Sequence, residues 1–165
     1  MKMAISASLR SGCVRDCIKG SAGQFQRDEK GLLINQTHRF GCVIVKDDNA
    51  VSIGFNGPAP GQPLCTKVGC QRAAEKIPSG TQIEQGRCIH AEWMAITKML
   101  KSGVGCSTDG ATMYVTAEPC LICAKIIACL GLKDLVVLEG NYQNNGIKIV
   151  KAAGIDVRFV KKSDL

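Results

Sequence analysis

Three helix-then-strand units in succession fill the second half of this chain, and that alternation leaves few architectures open. Residues 90–101 place Trp93, Ala95, Ile96, Met99 and Leu100 at close to helical spacing, and Gly103 ends the run. Residues 111–116 read as a strand, and 119–130 as a helix with proline in its first turn and Gly131 just past its end. A strand at 134–138, a helix at 144–153 and a strand at 155–160 follow. Upstream, 41–45 and 50–55 flank the turn residues Lys46-Asp47-Asp48-Asn49 as a β-hairpin, and a first helix is predicted from Met3 to about Asp16. The order predicts an α/β fold: a three-layer α-β-α sandwich around a mixed, mostly parallel five-stranded sheet.

The chain has 165 residues, 45% of them hydrophobic and 21% charged, which suits one domain over 1–165 with its own core. An irregular, polar insertion at about 17–38 carries three glycines, and its role is not legible. The stretch from Asn56 to about Arg87 is also irregular, apart from a helical turn around 71–76. Lys2 and Arg10 enclose only a short apolar stretch and no run approaches membrane-spanning length, so a cytoplasmic protein without membrane partners is expected. Without an export signal, the 10 cysteines point to metal binding and packing rather than to a disulfide framework. The net charge of +7 is spread in ones and twos, which favours small phosphorylated ligands. Aromatic residues make up only 4% of the chain, too few for the stacking platforms of a nucleic-acid binder.

The chemistry concentrates in two segments, His90-Ala91-Glu92 and Pro119-Cys120-Leu121-Ile122-Cys123. Cys120 and Cys123 share a helix face in a first turn, where the helix dipole favours thiolate, and His90 opens the preceding helix. One imidazole and two thiolates leave an open position on Zn²⁺, while Glu92 points elsewhere and stays free to carry protons as the catalytic residue. Each half alone is common, the second being equally half of a structural zinc ribbon. Together, in this order, they are the signature of zinc nucleobase deaminases.

On these motifs the chain resembles the deoxycytidylate (dCMP) deaminases of the cytidine deaminase superfamily. Further matching segments are 39–45, Gly54-Phe55-Asn56-Gly57 with the four residues after it, Cys65 through Cys70, Ile77-Pro78-Ser79-Gly80 and 111–116. The resemblance implies a cytidine deaminase-like fold, one catalytic Zn²⁺ and hydrolysis of dCMP to dUMP and ammonia. It also implies a homo-oligomer, often a hexamer, with dCTP and dTTP as regulators. Asn56 then binds the sugar, Ala91 and Thr116 hold the pyrimidine edge and Arg39 helps at the phosphate. Asn56 also reads simply as turn sequence, and Arg39 as a solvated arginine. Tyr142 follows the fourth strand at its C-terminal end and either walls the ligand or packs.

By the same resemblance Cys13 joins Cys65, Cys70 and Cys88 in a second, structural zinc site; free thiols are the alternative. Cys42 and Cys129 are expected to be buried small hydrophobes, Trp93 and Met94 core residues, and His38 a surface histidine. Met94 stands where the family often has asparagine, which removes a polar group near the site. Two rival functions remain: the same chemistry on another base (modified dCMP, free nucleoside or base, nucleic acid), and a zinc-bound binding module without catalysis.

Overall fold

The computed structural model describes residues 1–21, 23–102, 107–140 and 145–165. Helix α1 (Lys2–Ser8) precedes the hairpin β1 (Gly41–Lys46) and β2 (Asn49–Phe55). A small ribbon of β3 (Gly57–Pro58) and β4 (Cys88–Ile89) brackets two single-turn helices, α2 (Cys65–Val68) and α3 (Gln71–Ala74). Then come α4 (Ala91–Lys101), β5 (Thr112–Val115), α5 (Leu121–Ile127), β6 (Asp134–Leu138), α6 (Ile147–Ala152) and β7 (Asp156–Val160).

The large sheet has five strands in the order β2-β1-β5-β6-β7. β1 is antiparallel to β2 and to β5, whereas β5, β6 and β7 run parallel. β1 therefore opposes the other four, which is the mixed, mostly parallel sheet the element order predicts. The hairpin turn needs an antiparallel partner, and the α5 and α6 crossovers need parallel ones.

Side chains alternate across a sheet while cross-strand partners share a face, so Cys42, Ile44, Met113, Val115, Leu135 and Val137 line one side. Ala95, Ile96 and Met99 of α4, Ala124 and Ile127 of α5 and Val150 of α6 join them in one buried cluster. The opposite face receives α1. A Cβ on Gly41 would lie 2.0 Å from the Ala4 carbonyl oxygen, while one on Gly54, across from Cys42, would lie 2.1 Å from the Ala91 carbonyl oxygen. The sandwich thus has three layers of unequal thickness.

α1 stops at Ser8, well short of Asp16, because the chain after it is recruited elsewhere. The Gly12 N–H bonds the Asn56 carbonyl, which carries the chain across the end of β2 rather than onward as helix. The insertion is not structureless. Its residues make antiparallel bridges at Lys19 with Phe25 and Arg27 with Leu33. Leu33 then packs with Val14 and Cys65 in a second small core bordered by Cys17, Phe25, Cys70 and Cys88.

Gly54 fixes where α4 begins, and a methyl group there meets backbone on two sides, the Ala91 oxygen and the Ala95 nitrogen at 2.5 Å. Gly54→Ala is therefore expected to cost roughly 1–3 kcal/mol or more and to loosen metal retention at the start of α4. Thermal melting of metal-loaded protein checks this, and a variant that melts with the parent contradicts the close packing.

Candidate metal centre

β4 delivers His90 to the cap position of α4 in extended conformation. Cys120 caps α5 in the same way, with its sulfur accepting the Cys123 N–H at 3.5 Å. Pro119 thus precedes the cap rather than lying in the first turn. The His90 Nδ1 stands 3.5 Å from the Cys120 Sγ and 3.5 Å from the Cys123 Sγ. All three donor atoms fall within 4.8 Å of one another. Sulfurs at about 2.3 Å and a nitrogen at about 2.1 Å from one tetrahedral cation are separated by roughly 3.6 Å, so these residues fit Zn²⁺ without rearrangement. Both cysteines are free thiols.

The local charges fit the same purpose. The Cys123 side chain, and then His90, hydrogen-bond the Cys120 thiol and bring it down to about 4, so it is a thiolate at neutral pH. Cys123, the other half of that hydrogen bond and buried, is pushed up. Two adjacent thiolates repel, and a divalent cation resolves the conflict by deprotonating both. Burial lowers the proton affinity of His90, but the hydrogen bond to Cys120 and the charge of Glu92 outweigh it and leave the imidazole above its ordinary value.

Glu92 is the charged side chain at the heart of the site, only 7% exposed. Burial raises its carboxyl above the usual range, with the His90 charge opposing, and its side chain contacts Cys123. It lies outside the set of converging metal donors. An unligated acid beside a three-donor centre is what proton transfer requires and what a purely structural zinc site has no use for.

These groups open into a cleft of about 110 Å³ whose walls include His90, Ala91, Glu92, Thr116, Asn56 and Cys120. Asn56 reaches the cleft, but its amide is already engaged: Oδ1 accepts the Phe40 N–H and Nδ2 donates to the His38 carbonyl, both at 2.9 Å. The Thr116 hydroxyl accepts the Gly41 N–H at 2.9 Å, pinning the end of β5 to β1. Arg39 is not brought to the site. Its Nε donates to the Gln36 carbonyl at 3.0 Å, and it is absent from the cleft walls. Tyr142 and Cys106 lie outside the described residues.

The expectations for His38, Trp93 and Cys129 are corrected, while Met94 and Cys42 are buried as expected. His38 lines the cleft, with Nδ1 3.1 Å from Asp16 and Nε2 3.0 Å from the Ser79 hydroxyl. Trp93 is exposed on α4 while Met94 is buried, and Cys129 is exposed while Cys42 is fully buried. The Cys65 and Cys88 sulfurs lie 3.5 Å apart and the Cys13 thiol hydrogen-bonds Cys88, with Cys70 packed beside them. Among the described residues this second group does not meet the 4.8 Å convergence of the first. Sequence reasoning missed Arg15, Arg72 and Arg87, which all line the cleft. The available signal was position: each arginine lies within two residues of Cys13, Cys70 or Cys88. Among the described residues no helix is long and apolar enough to cross a membrane.

Residues 28–139 match the family described as the cytidine and deoxycytidylate deaminase zinc-binding region. The deoxycytidylate deaminase of Schizosaccharomyces pombe is 28% identical over 159 residues, covering 96% of this chain but 42% of that protein. The chain thus spans less than half the length of this relative. The deoxycytidylate deaminase of Enterobacteria phage T4 is 32% identical over 162 residues, covering 77% of this chain and 81% of that protein. The crystal structure of the dCMP deaminase of cyanophage S-TIM5 in apo form superposes with a TM-score of 0.64 at 23% identity, covering 96% of this chain and 92% of that one. Its complex with dCMP and dUMP gives a TM-score of 0.58 at 25% identity, over 76% and 83%.

Proposed function

Because the chain belongs to the cytidine and deoxycytidylate deaminase zinc-binding family, we propose that it hydrolyses dCMP to dUMP and ammonia in pyrimidine deoxynucleotide metabolism. The observation that carries this reading is the buried Glu92 carboxyl set against Cys123, beside a His-Cys-Cys donor set and within a cleft. His90, Cys120 and Cys123 would hold Zn²⁺, which would supply Lewis-acid activation of water near neutral pH. Glu92 takes one proton from the attacking water and gives it to the pyrimidine N3, then carries the second to the departing amino group. One water is consumed and one ammonia leaves. The raised proton affinity of Glu92 suits a group that must both accept and return a proton. Backbone at Ala91 and Thr116 borders the pyrimidine edge, and Asn56 walls the sugar side while holding the backbone at His38 and Phe40 in place.

Ammonia release from cytidine, dCMP, dCTP and 5-substituted dCMP identifies the substrate, with dCMP expected to be fastest. No turnover on any of these pyrimidines would leave a zinc-bound binding module instead. Family membership further supports a cytoplasmic homo-oligomer, a hexamer activated by dCTP and inhibited by dTTP. Trp93 and Leu100, exposed on α4, give such an assembly an apolar surface. Light scattering with and without dCTP tests it.

A second, structural Zn²⁺ on Cys13, Cys65, Cys70 and Cys88 completes the reading, supported by the linked thiols of Cys13, Cys65 and Cys88. Metal analysis of purified protein is then expected to give about two Zn²⁺ per chain, falling to about one in Cys65→Ser, by the four-thiolate stoichiometry of structural sites. A parent with one Zn²⁺ per chain contradicts the second site.

A further inference from the structure

Two buried side-chain nitrogens have no hydrogen-bond partner among the described residues, Nη1 of Arg15 and Nε of Arg72. Buried polar groups are almost always bonded and buried charges almost always paired, so both need an explanation. Neither arginine has a carboxylate partner among the ion pairs of the described residues. Both line the same cleft as His90 and Glu92, and Arg87 lines it too.

The two side chains are held, not loose. Arg15 Nη2 donates to the Ile77 carbonyl. Arg72 Nη2 donates to the Pro78 carbonyl at 3.1 Å and the Thr81 carbonyl at 2.6 Å. Each guanidinium grips the 77–81 loop with one nitrogen and keeps another unused. Gly86 makes room for the Arg72 stem, since a Cβ there would sit 3.1 Å from its Cδ. Their charges reach a common point, because His38 is held below its ordinary value by burial and then, against Asp16, by Arg15 and Arg72 together.

We propose that Arg15 and Arg72, with Arg87 beside them, form the anion subsite of this cleft and take the phosphate of a nucleoside monophosphate, and that the cysteine cluster exists to position them. The planar fork of a guanidinium matches phosphate oxygens, and an unused buried N–H is what such an oxygen completes. Arg15 follows Cys13 by two residues, Arg72 follows Cys70 by two, and Arg87 directly precedes Cys88. Linking Cys13 and Cys65 to Cys88, with Cys70 packed alongside, therefore fixes three separate segments around one point. The phosphate role expected of Arg39 passes to residues that the fold, not the strand order, brings together. This inference rests on reading the cleft as a nucleotide site.

The test is calorimetric titration of the zinc-loaded protein with dUMP, deoxyuridine and inorganic phosphate, in the parent, Arg15→Met, Arg72→Met, Arg72→Lys and Arg39→Met. Arg15→Met and Arg72→Met are each expected to weaken dUMP roughly 10- to 100-fold while leaving deoxyuridine within about 3-fold, as loss of a charged hydrogen bond dictates. Inorganic phosphate is expected to compete with dUMP in the parent and to lose that effect in Arg72→Met. Should Arg72→Met fold poorly, Arg72→Lys keeps the charge and loses the fork, and about a tenfold loss is expected. Equal weakening of dUMP and deoxyuridine, no weakening at all, or a loss found in Arg39→Met instead overturns the proposal. Turnover of dCMP with unchanged dUMP affinity in Arg15→Met and Arg72→Met refutes this subsite alone. Arginine-dependent dUMP binding without turnover refutes only the deaminase reading.

Discussion

Glu92→Gln is expected to lower dCMP turnover on the order of 10³-fold while its zinc content stays at the parent level. The amide preserves size and fills the same buried space, but it neither accepts a proton from water nor returns one to the leaving nitrogen. Zinc is retained because the donor set is His90, Cys120 and Cys123, without Glu92. The stability effect runs the other way from a structural residue. Burial holds the Glu92 carboxyl above its ordinary proton affinity, so keeping it ionised above the unfolded-state pKa costs folding free energy, and a neutral amide removes that cost. With the metal removed, the melting temperature of Glu92→Gln is therefore expected to equal or exceed that of the parent. Turnover assay and metal analysis of the zinc-loaded protein, and calorimetry after chelation, check the three parts. Normal turnover in Glu92→Gln ends the proton-transfer role.

Cys120→Ser is expected to abolish both zinc at this centre and turnover, while α5 still forms. Without the cation, water would lose the lowered pKa that makes it a nucleophile near neutral pH, and hydrolysis falls to background. The substitution is informative because Cys120 caps α5 through its sulfur, and serine is among the preferred capping residues. The helix start survives or improves while the ligand is lost, which separates metal loss from fold loss. With chelator present, parent and Cys120→Ser are expected to melt together; with zinc present, only the parent is expected to gain at this centre. A Cys120→Ser variant that keeps full zinc and activity contradicts the assignment of this thiolate.

The metal centre and most of the sheet were legible because their signals are local. A β-branched run such as Gly41–Lys46 and a helix whose cap is itself a ligand carry their structure in a few adjacent residues. The length of α1 was not legible, since its end is decided by a hydrogen bond from Gly12 to Asn56, 44 residues away by 56 − 12. The exposure of Trp93 and Cys129 was equally hidden. A helix pattern tells which face is apolar, but not whether one apolar residue falls just outside the buried stripe. The cationic wall of the cleft was missed for a related reason. Arg15, Arg72 and Arg87 sit in stretches with little periodicity, and only the clustering of distant cysteines brings them together. Arg39 had the better local position, at a strand start, and is turned to the Gln36 carbonyl instead.

The centre itself is tested most directly by X-ray diffraction from crystals of zinc-loaded protein, with data collected on both sides of the zinc absorption edge. The expected result is an anomalous peak about 2.3 Å from the sulfurs of Cys120 and Cys123 and about 2.1 Å from Nδ1 of His90, with the Glu92 carboxyl nearby but not bound. A peak coordinated by Glu92, or none at this position with Cys120 and Cys123 bridged to each other, contradicts it.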